Sequence, residues 1–575
     1  MAGTAGAFIG LDLGTSGLKG VAVTASGAVL ARGSAAYPTR RPAPGASEQA
    51  PADWIAAAEA VAAQLAAEVP VRRWRGIGLS AMIPTLVTAG ADGEPNGPAV
   101  TWQDSRGDAR GDELRERCGG EALYRRTGQW VDGRYLLPMF LRVADEEPGR
   151  AAATAWLLAA KDYLFGWLTG EFATDPSTAT GFGCYQLEAG GWDAGVIAAA
   201  GDLLAAQGGP APDRPAPGRP APGRPASGRR ALDLPAPGLP ALPPVLPSAT
   251  CRPLREEAAA RLGCGRIPVC LGAADSVLGA LGLGVRRPGQ VAYIAGTSNV
   301  IMGVAGRLVT DPEHRFLVTP LAEPGQWGLE MDLLATGSAI RWLAGLLAER
   351  PADGGEADGA NTGRADSGGG ADTGRASTGG ADSGGAGTGG AETGGADTGE
   401  AALVALAAGV DPRDAPLVLP YLSPGEQGAL WDPLLHGTFV GLELGHGRRH
   451  LARGLVNGIV LESRRCLAVL DETGDFGREL EVAGSSAADP AFRANLADAT
   501  RRRVAMPGDH DTDYSARGAA LLAVRGIEGE WPPPALSIAG PAAEPDATRS
   551  AMWDAIWADY EHARLAISAH YHSAG

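Results

Sequence analysis

One carboxylate stands in an apolar stretch of the sequence, residues 267–300. An apolar run at 268–271 leads through Gly272 to Asp275, after which apolar residues recur at helical spacing. This pattern predicts a strand, a turn and a helix, with Asp275 at the carboxyl end of the strand, where open α/β sheets place their ligands. The carboxylate could accept a proton from a hydroxyl, although an aspartate that only caps the helix gives the same local pattern.

A turn of small residues, Gly296, Thr297 and Ser298, follows a second predicted strand, VAYIA. Backbone N–H groups and hydroxyls in such a turn suit a phosphate. A phosphate-binding turn so near in sequence to Asp275 indicates phosphoryl transfer to a hydroxyl, with the carboxylate as proton acceptor.

A glycine-rich loop, DLGTSGLK, joins the first two of three strands predicted in residues 7–37. Its glycines let the backbone approach a ligand, its hydroxyls and lysine can bind phosphate oxygens, and its aspartate could hold hydrated Mg²⁺. The candidate residues are Asp12, Gly14, Thr15, Ser16 and Lys19. An ordinary glycine-rich hairpin is the alternative.

The charge of the chain argues for small-molecule chemistry. Its 575 residues carry a formal net charge of -17, whereas nucleic-acid and anionic-membrane binders need basic patches. We expect no membrane span, because the most apolar stretch, residues 267–285, contains Asp275 and several glycines. Six cysteines without a C-x-x-C pair predict reduced thiols in a cytoplasmic protein.

Eight segments in order along the chain resemble the FGGY family of carbohydrate kinases. They are FIGLDLGTSGLKG, SEQAPADW, AVTWQDSRG, KDYLFGWLTGEFATDPSTATG, VCLGAADSVLGALGLG, AYIAGTSNV, LPYLSPGEQGALWDPLLHGTFVGLELGHGRRHLARGLVNGIVLESR and YSARGAALLA. The resemblance implies an α/β, two-domain actin-like fold, shared with hexokinase and the heat-shock ATPases, with ribonuclease H-like domains and an interdomain cleft. It also implies ATP and Mg²⁺ as cofactors and a sugar or polyol hydroxyl as acceptor.

The resemblance implies that Trp102, Asp104 and Arg106 lie beside the substrate. On an extended chain Asp104 and Arg106 share one face, although a surface salt bridge is the alternative. The resemblance also makes Met82 and Ile83 candidates for sugar contact, but Pro84 stands where pentulose kinases usually have histidine.

The family's run of glycines near adenosine corresponds here to a segment that begins with Gly484 and Ser485, and it lacks the usual lysine. We expect both residues to lie beside the nucleotide.

The expected domains are residues 1–245, which bind sugar and phosphate, and residues 246–575, which hold the catalytic base and the nucleotide. Two low-complexity segments, about 208–244 and 351–400, are expected to be disordered insertions. The first consists mainly of Pro, Ala, Gly and Arg in near repeats, and the second of Gly-rich units with almost no large apolar residue.

The function expected from residues and resemblance together is ATP-dependent phosphorylation of a small sugar. D-Xylulose ranks first, since the WDP segment at 431–433 and the YSARGAALLA segment look most like xylulokinases. The alternatives are a gluconate or other polyol kinase and a non-catalytic actin-fold sensor of sugar or nucleotide. The expected partners are the sugar and ATP, without nucleic acid or membrane, and a homodimer is left open.

Overall fold

The computed structural model describes most of the chain. The described residues are 6–206, 238–296, 298–333, 336–347, 395–422, 426–432, 434–508, 512–532 and 542–574.

Strands and helices are interspersed along the described residues, as in an α/β protein. The strands are β1 Ala7–Leu13, β2 Gly17–Thr24, β3 Val29–Ala36, β4 Glu48–Gln49, β5 Trp74–Ala81, β6 Thr85–Ala89, β7 Ala99–Thr101, β8 Trp156–Ala159, β9 Tyr185–Gln186, β10 Gly191–Trp192, β11 Cys251–Pro253, β12 Pro268–Ala274, β13 Val291–Ala295, β14 Asn299–Ala305, β15 Leu317–Pro320, β16 Trp327–Leu333, β17 Leu417–Leu419, β18 Glu426–Gln427, β19 Leu430–Trp431, β20 Thr438–Val440, β21 Glu479–Gly484 and β22 Arg503–Ala505.

The helices are α1 Pro51–Glu68, α2 Asp108–Cys118, α3 Gly120–Thr127, α4 Leu136–Glu146, α5 Pro148–Ala153, α6 Ala160–Thr169, α7 Pro176–Thr180, α8 Ala194–Ala206, α9 Glu256–Arg261, α10 Asp275–Gly282, α11 Gly337–Leu347, α12 Gly395–Ala408, α13 Arg448–Thr473, α14 Pro490–Thr500, α15 Tyr514–Glu528 and α16 Ala547–Ala574. Short 3₁₀ turns lie at Val71–Arg73, Pro412–Asp414 and Ser486–Ala488.

The first large sheet has the order β11-β12-β5-β1-β2-β3 among the described residues. Its three central strands, β12, β5 and β1, run parallel, while β2 and β3 continue as an antiparallel meander. This confirms the three strands predicted in residues 7–37. Helices α1 and α6 contribute to the core on this sheet, in which Trp54 is fully buried.

The second large sheet has the order β19-β18-β16-β14-β13-β21-β22 in the described part of the chain, with β15 on β16. A second core, which includes residues of α13, α14 and α16, packs with this sheet. A smaller sheet, β4-β7-β6-β8, belongs to the N-terminal half.

Helices α10 and α15 join the two large sheets. Gly10 and Gly78 let α15 lie directly on β1 and β5, since a Cβ at either position would stand 1.7 or 1.9 Å from a backbone oxygen of α15. Gly282 and Gly518 let α10 and α15 approach each other in the same way. A Cβ at either position would lie 1.9 Å from a backbone oxygen of the other helix. The apolar face of α10 then packs against the second sheet through Val277 and its neighbours.

Three sequence expectations about organisation need correction. Strand β12, which leads to Asp275, pairs with β5 in the first sheet, although we expected it in the second domain; the predicted boundary at 245/246 divides this sheet.

The first insertion was predicted too long at its end, because Leu239 is buried in a core and the amide of Thr174 donates to the Pro244 carbonyl at 3.0 Å. The second insertion was also predicted too long, since α12 begins at Gly395. Residues 207–237 and 348–394 lie outside the described residues.

The prediction of six reduced thiols is wrong for one pair. Cys251 and Cys270 form a disulfide. They are 19 residues apart in sequence, but they stand directly opposite each other on the antiparallel strands β11 and β12, with Cα atoms 4.0 Å apart. Spacing along the chain gave no signal of this pairing.

Among the helices of the described residues, none combines the length and the hydropathy that a membrane crossing requires.

Candidate active site

Three polar residues meet at the carboxyl edge of the parallel strands β1, β5 and β12. Asp12 lies near the end of β1, Ser80 stands opposite it on β5, and Asp275 directly follows β12. Adjacent parallel strands end at the same edge, which is where such sheets bind ligands. The fold therefore brings together two carboxylates that are far apart in sequence.

Asp12 is buried beside the ion pair that Lys19 forms with Asp513. Its Oδ1 accepts a hydrogen bond from Ser80 Oγ at 2.6 Å. Lys19, its cross-strand neighbour on β2, binds Asp513 at 2.9 Å. Burial and the negative charge of Asp513 raise the pKa of Asp12 to about 7, against the opposing effects of Lys19 and Ser80. Asp513, Asp12 and Asp275 raise the pKa of Lys19 to about 12, so this amine is protonated at neutral pH.

Asp275 is the first residue of α10 and does not cap it. The N-cap position is Ala274, and the Asp275 carboxylate accepts a hydrogen bond from the adjacent Ser276 amide at 2.9 Å. Burial raises its pKa well above the ordinary range, and the charges of Asp12 and Glu330 add to that effect. A carboxylate in this environment binds a proton more readily than a solvated one, as a general base requires.

The loop between β1 and β2 is braced by side chains from other segments. Gln49 Nε2 donates to the Thr15 carbonyl at 2.7 Å, and Trp102 Nε1 donates to Thr15 Oγ1 at 3.1 Å. The Tyr37 hydroxyl donates to the Gly14 carbonyl. With its carbonyls engaged in this way, the loop has a fixed backbone conformation, and a fixed conformation lowers the cost of binding phosphate.

The segment after β7 is a turn, so the extended conformation predicted for Asp104 and Arg106 is wrong. Asp104 is buried, and its oxygens accept from the Ser47 amide at 2.8 Å and from Arg106 Nη2 at 2.6 Å. Arg106 also donates to Glu48 at 2.6 Å. Asp104 thus orients the guanidinium, and direct contact of either side chain with sugar stays a prediction.

Met82 and Ile83 follow β5 at the same edge of the first sheet. Met82 is only 1% exposed and packs in the N-terminal core, whereas Ile83 is partly exposed and packs beside α10. Of the two, Ile83 is the one with surface open to a ligand.

The predicted nucleotide residues lie together on the second sheet. Gly296 and Ser298 form the turn between β13 and β14, in which the Gly296 amide donates to the Ser298 carbonyl at 3.0 Å. Gly484 stands opposite Ala295 on the parallel strand β21, so Ser485 follows beside this turn. The prediction for Thr297 lies outside the described residues.

Asp12 suits a magnesium ion held through water. The pKa of Lys19 is raised by three carboxylates, those of Asp12, Asp275 and Asp513. These carboxylates outnumber the lysine, and a divalent cation would offset the surplus of negative charge. In the described residues, no group of three or more His, Cys, Asp or Glu side chains could ligate a metal directly. Mg²⁺ commonly keeps several waters and uses one or two carboxylates, so this donor set fits it.

Sequence reasoning missed several residues that complete the site: Tyr37, Gln49, Ser80, Glu330 and Asp513. Asp513 caps α15 by accepting from the Ala516 amide at 2.8 Å while it binds Lys19. Only Gln49 had a sequence signal, since it lies in the SEQAPADW segment. The others reach the site through long-range packing that no local pattern reveals.

Comparison with known families gives two matches. Residues 7–203 match the N-terminal domain of the FGGY family of carbohydrate kinases, and residues 291–527 match its C-terminal domain. Together these ranges cover well over half of the chain, and Asp275 lies between them.

Individual relatives point to more than one sugar. The chain is 23% identical to the gluconokinase of Bacillus subtilis (strain 168), over 90% of this chain and 86% of that protein. It is 25% identical to the xylulose kinase of Escherichia coli (strain K12), over 90% and 89% respectively. The solved xylulose kinase from Rhodospirillum rubrum superimposes with a TM-score of 0.76 at 27% identity, covering 98% of this chain and 100% of that one.

Proposed function

The chain belongs to the FGGY family of carbohydrate kinases and is a sugar kinase, and from this premise we propose that it transfers the terminal phosphoryl group of ATP to a hydroxyl of D-xylulose. The observation that carries the proposal is the carboxyl edge of β1, β5 and β12, where Asp12 and Asp275 meet. The xylulose kinases of Escherichia coli and Rhodospirillum rubrum support the choice of sugar.

Asp275 is the general base of the proposed reaction. It accepts the proton of the sugar hydroxyl as the oxygen attacks the γ-phosphorus, and the bond from that phosphorus to the bridging oxygen of ADP breaks. The raised pKa makes the Asp275 carboxylate a stronger base, which favours the proton transfer. The carboxyl group must be ionised to accept the proton, and its ionised fraction grows as the pH rises.

The phosphates are proposed to lie between the braced loop at 14–16 and the turn at 296–298, against backbone N–H groups and hydroxyls. Lys19 balances charge on the transferred group, for which it must exchange its partner Asp513 for phosphate oxygen. Bound Mg²⁺, held by Asp12 through water, would neutralise charge on the phosphates. Gly484 and Ser485 are proposed to border the adenosine.

The sugar is proposed to lie on Trp102, near Ile83 and Arg106. Trp102 would contact both proposed binding regions, because its indole N–H also donates to the hydroxyl of Thr15 in the loop proposed to bind phosphate. Met82 and Asp104 act from behind this surface, the first by packing and the second by orienting Arg106.

The cytoplasm is the proposed location, because a kinase of this type needs a supply of ATP. The homodimer remains a prediction.

A panel of acceptors tests the proposal. ADP release from ATP·Mg²⁺ is measured with D-xylulose, D-ribulose, L-ribulose, gluconate, glycerol and erythritol. We expect the highest kcat/KM with D-xylulose. A higher value with gluconate would favour the second candidate, which the Bacillus subtilis relative supports. If no acceptor stimulates a protein shown to bind ATP, the sensor alternative gains support.

A further inference from the structure

The strand that leads to Asp275 contains a β-bulge. The pairing of β12 with β5 shifts between Cys270 and Ala273, so that two residues of β12 face one of β5. Gly272 has a φ of +85°, and a Cβ there would lie 1.7 Å from the Leu79 carbonyl oxygen. Because a bulge changes the direction of the strand, this one sets the angle at which the chain enters Asp275.

Two backbone groups of the bulged segment bond to buried side chains. The Leu271 carbonyl accepts from Lys161 Nζ at 3.2 Å. The Ala274 amide donates to Ser177 Oγ at 2.9 Å. Ala274 directly precedes Asp275, so the second bond lies one residue from the proposed base.

Asp175 joins these two side chains. Its Oδ1 is 3.2 Å from Lys161 Nζ, and its Oδ2 accepts from Ser177 Oγ at 2.6 Å and from Ser248 Oγ at 3.1 Å. Lys161 has a second anion, Asp162, at 3.4 Å. Lys161, Asp162 and Asp175 are all fully buried.

The network is directional. Because Ser177 gives its only proton to Asp175, a lone pair of its oxygen is left to face the Ala274 amide. Lys161 and Lys19 are the only lysines of the chain, and the compact ammonium of Lys161 reaches two carboxylates and the Leu271 carbonyl from one buried position. Removal of a member leaves a buried polar partner unpaired.

We propose that Lys161, Asp175 and Ser177 are positioning residues that hold the β-bulge before Asp275 and thereby align its carboxylate with the sugar hydroxyl. The inference rests on the proposed function, in which Asp275 is the base. A displacement of about 1 Å in a reacting group can cost roughly a hundredfold in rate.

Ser177→Ala is the main test, because it removes one hydroxyl without creating a buried charge. We expect kcat to fall about tenfold to a hundredfold while the KM values for ATP and sugar stay within about threefold. Hydrogen exchange of the Ala274 amide, followed in a peptide that spans 268–282, should become faster. The matched control is Thr473→Val, which also removes one hydroxyl: Thr473 is a partly buried residue at the end of α13, its hydroxyl donates to the Val469 carbonyl at 2.7 Å, and its loss should change neither readout.

Lys161→Met is the second variant, and we expect the same fall in kcat from it. A Ser177→Ala protein with kcat within twofold of wild type, or with kcat no lower than that of Thr473→Val, would overturn the inference. Unchanged exchange at Ala274 would also overturn it. The exchange measurement needs no turnover, so it tests whether Ser177 holds the Ala274 amide even if the wild-type protein phosphorylated no sugar, a result that would refute the proposed function.

Discussion

At the scale of residues, the site holds more carboxylates than cations: Asp12, Asp275 and Asp513 surround Lys19. Burial and neighbouring carboxylates raise the pKa values of Asp12 and Asp275, and Lys19 holds Asp513 at 2.9 Å. This arrangement is costly in the unliganded protein, because charged groups lose hydration when buried. In the proposed reaction, a bound metal and nucleotide would redistribute these charges, and Asp275 would then serve as the base.

Lys19→Ala should lower turnover more than it weakens binding. Three carboxylates of the site raise the pKa of Lys19 and keep it charged. Charge on the transferred group is greatest in the transition state, so a nearby cation stabilises that state most. We expect kcat to fall roughly a hundredfold with little change in the KM for sugar, measured by ADP release. Lys19→Arg, which keeps the charge, is the control; a kcat within threefold of wild type in Lys19→Ala would contradict the assigned role.

Glu330→Gln should move the pH dependence of turnover. The charge of Glu330 contributes to the raised pKa of Asp275, so its removal lowers that pKa. Asp275 must be ionised to accept a proton, and the acid limb of kcat therefore shifts to lower pH in the variant. A pH profile of kcat measures this, with Glu323→Gln as control, and a limb that stays in place or moves to higher pH would refute the assignment.

The raised pKa of Asp275 also makes the stability of the fold depend on pH. The pKa of Asp275 is higher in the folded than in the unfolded protein, so its contribution to stability is present at low pH and is lost as pH rises through the folded value.

At the scale of elements, close backbone approaches position the site. Glycine at 272 permits the bulge of β12, and Gly484, with φ +103°, lets β21 approach β13 so closely that a Cβ would lie 1.8 Å from the Ala295 carbonyl oxygen. Gly296, the first residue of the proposed phosphate turn, follows Ala295 directly, so the spacing of these strands determines where that turn lies.

Gly484→Ala should therefore disturb both stability and nucleotide binding. The positive φ and the clash add strain of at least about 1–3 kcal/mol. We expect a lower Tm and a higher KM for ATP, measured by thermal unfolding and by ADP release. Gly149→Ala is the control, because its Cβ would meet nothing within 4 Å. Equal Tm and KM values in the two variants would exclude the proposed proximity of Gly484 to the nucleotide.

Local patterns in the sequence predicted many elements correctly. The strand, turn and helix around Asp275 match β12 and α10, and the three strands predicted in residues 7–37 match β1, β2 and β3. Such elements follow from apolar periodicity and turn residues, which are local. The turn at 102–106 was missed because its conformation depends on contacts of Asp104 and Arg106 with Ser47 and Glu48, which lie more than fifty residues away in sequence.

At the scale of the whole molecule, α10 and α15 connect the sheet that bears Asp12 with the sheet that bears the turn at 296–298. Asp275 begins α10 and Asp513 caps α15, so two charged groups of the site stand at the starts of these helices. A relative movement of the two sheets would change the separation of the phosphate loops on each side of them. Closure of that kind would exclude water and limit hydrolysis of ATP.

The sequence predicted the two-sheet α/β architecture only through its resemblance to a family. No local signal placed β12 in the first sheet, because strand order depends on which strands pair across the whole chain. The Cys251–Cys270 pairing was hidden for the same reason.

The measurement that tests the central claim most directly is sugar-dependent ADP release by Asp275→Asn beside wild type, with the acceptor that stimulates wild type most. We predict a fall in kcat of roughly two to four decades with ATP binding little changed. Asp193→Asn, at a buried helix cap outside the site, is the matched control. A kcat of Asp275→Asn within tenfold of wild type would contradict the assignment of Asp275 as the general base.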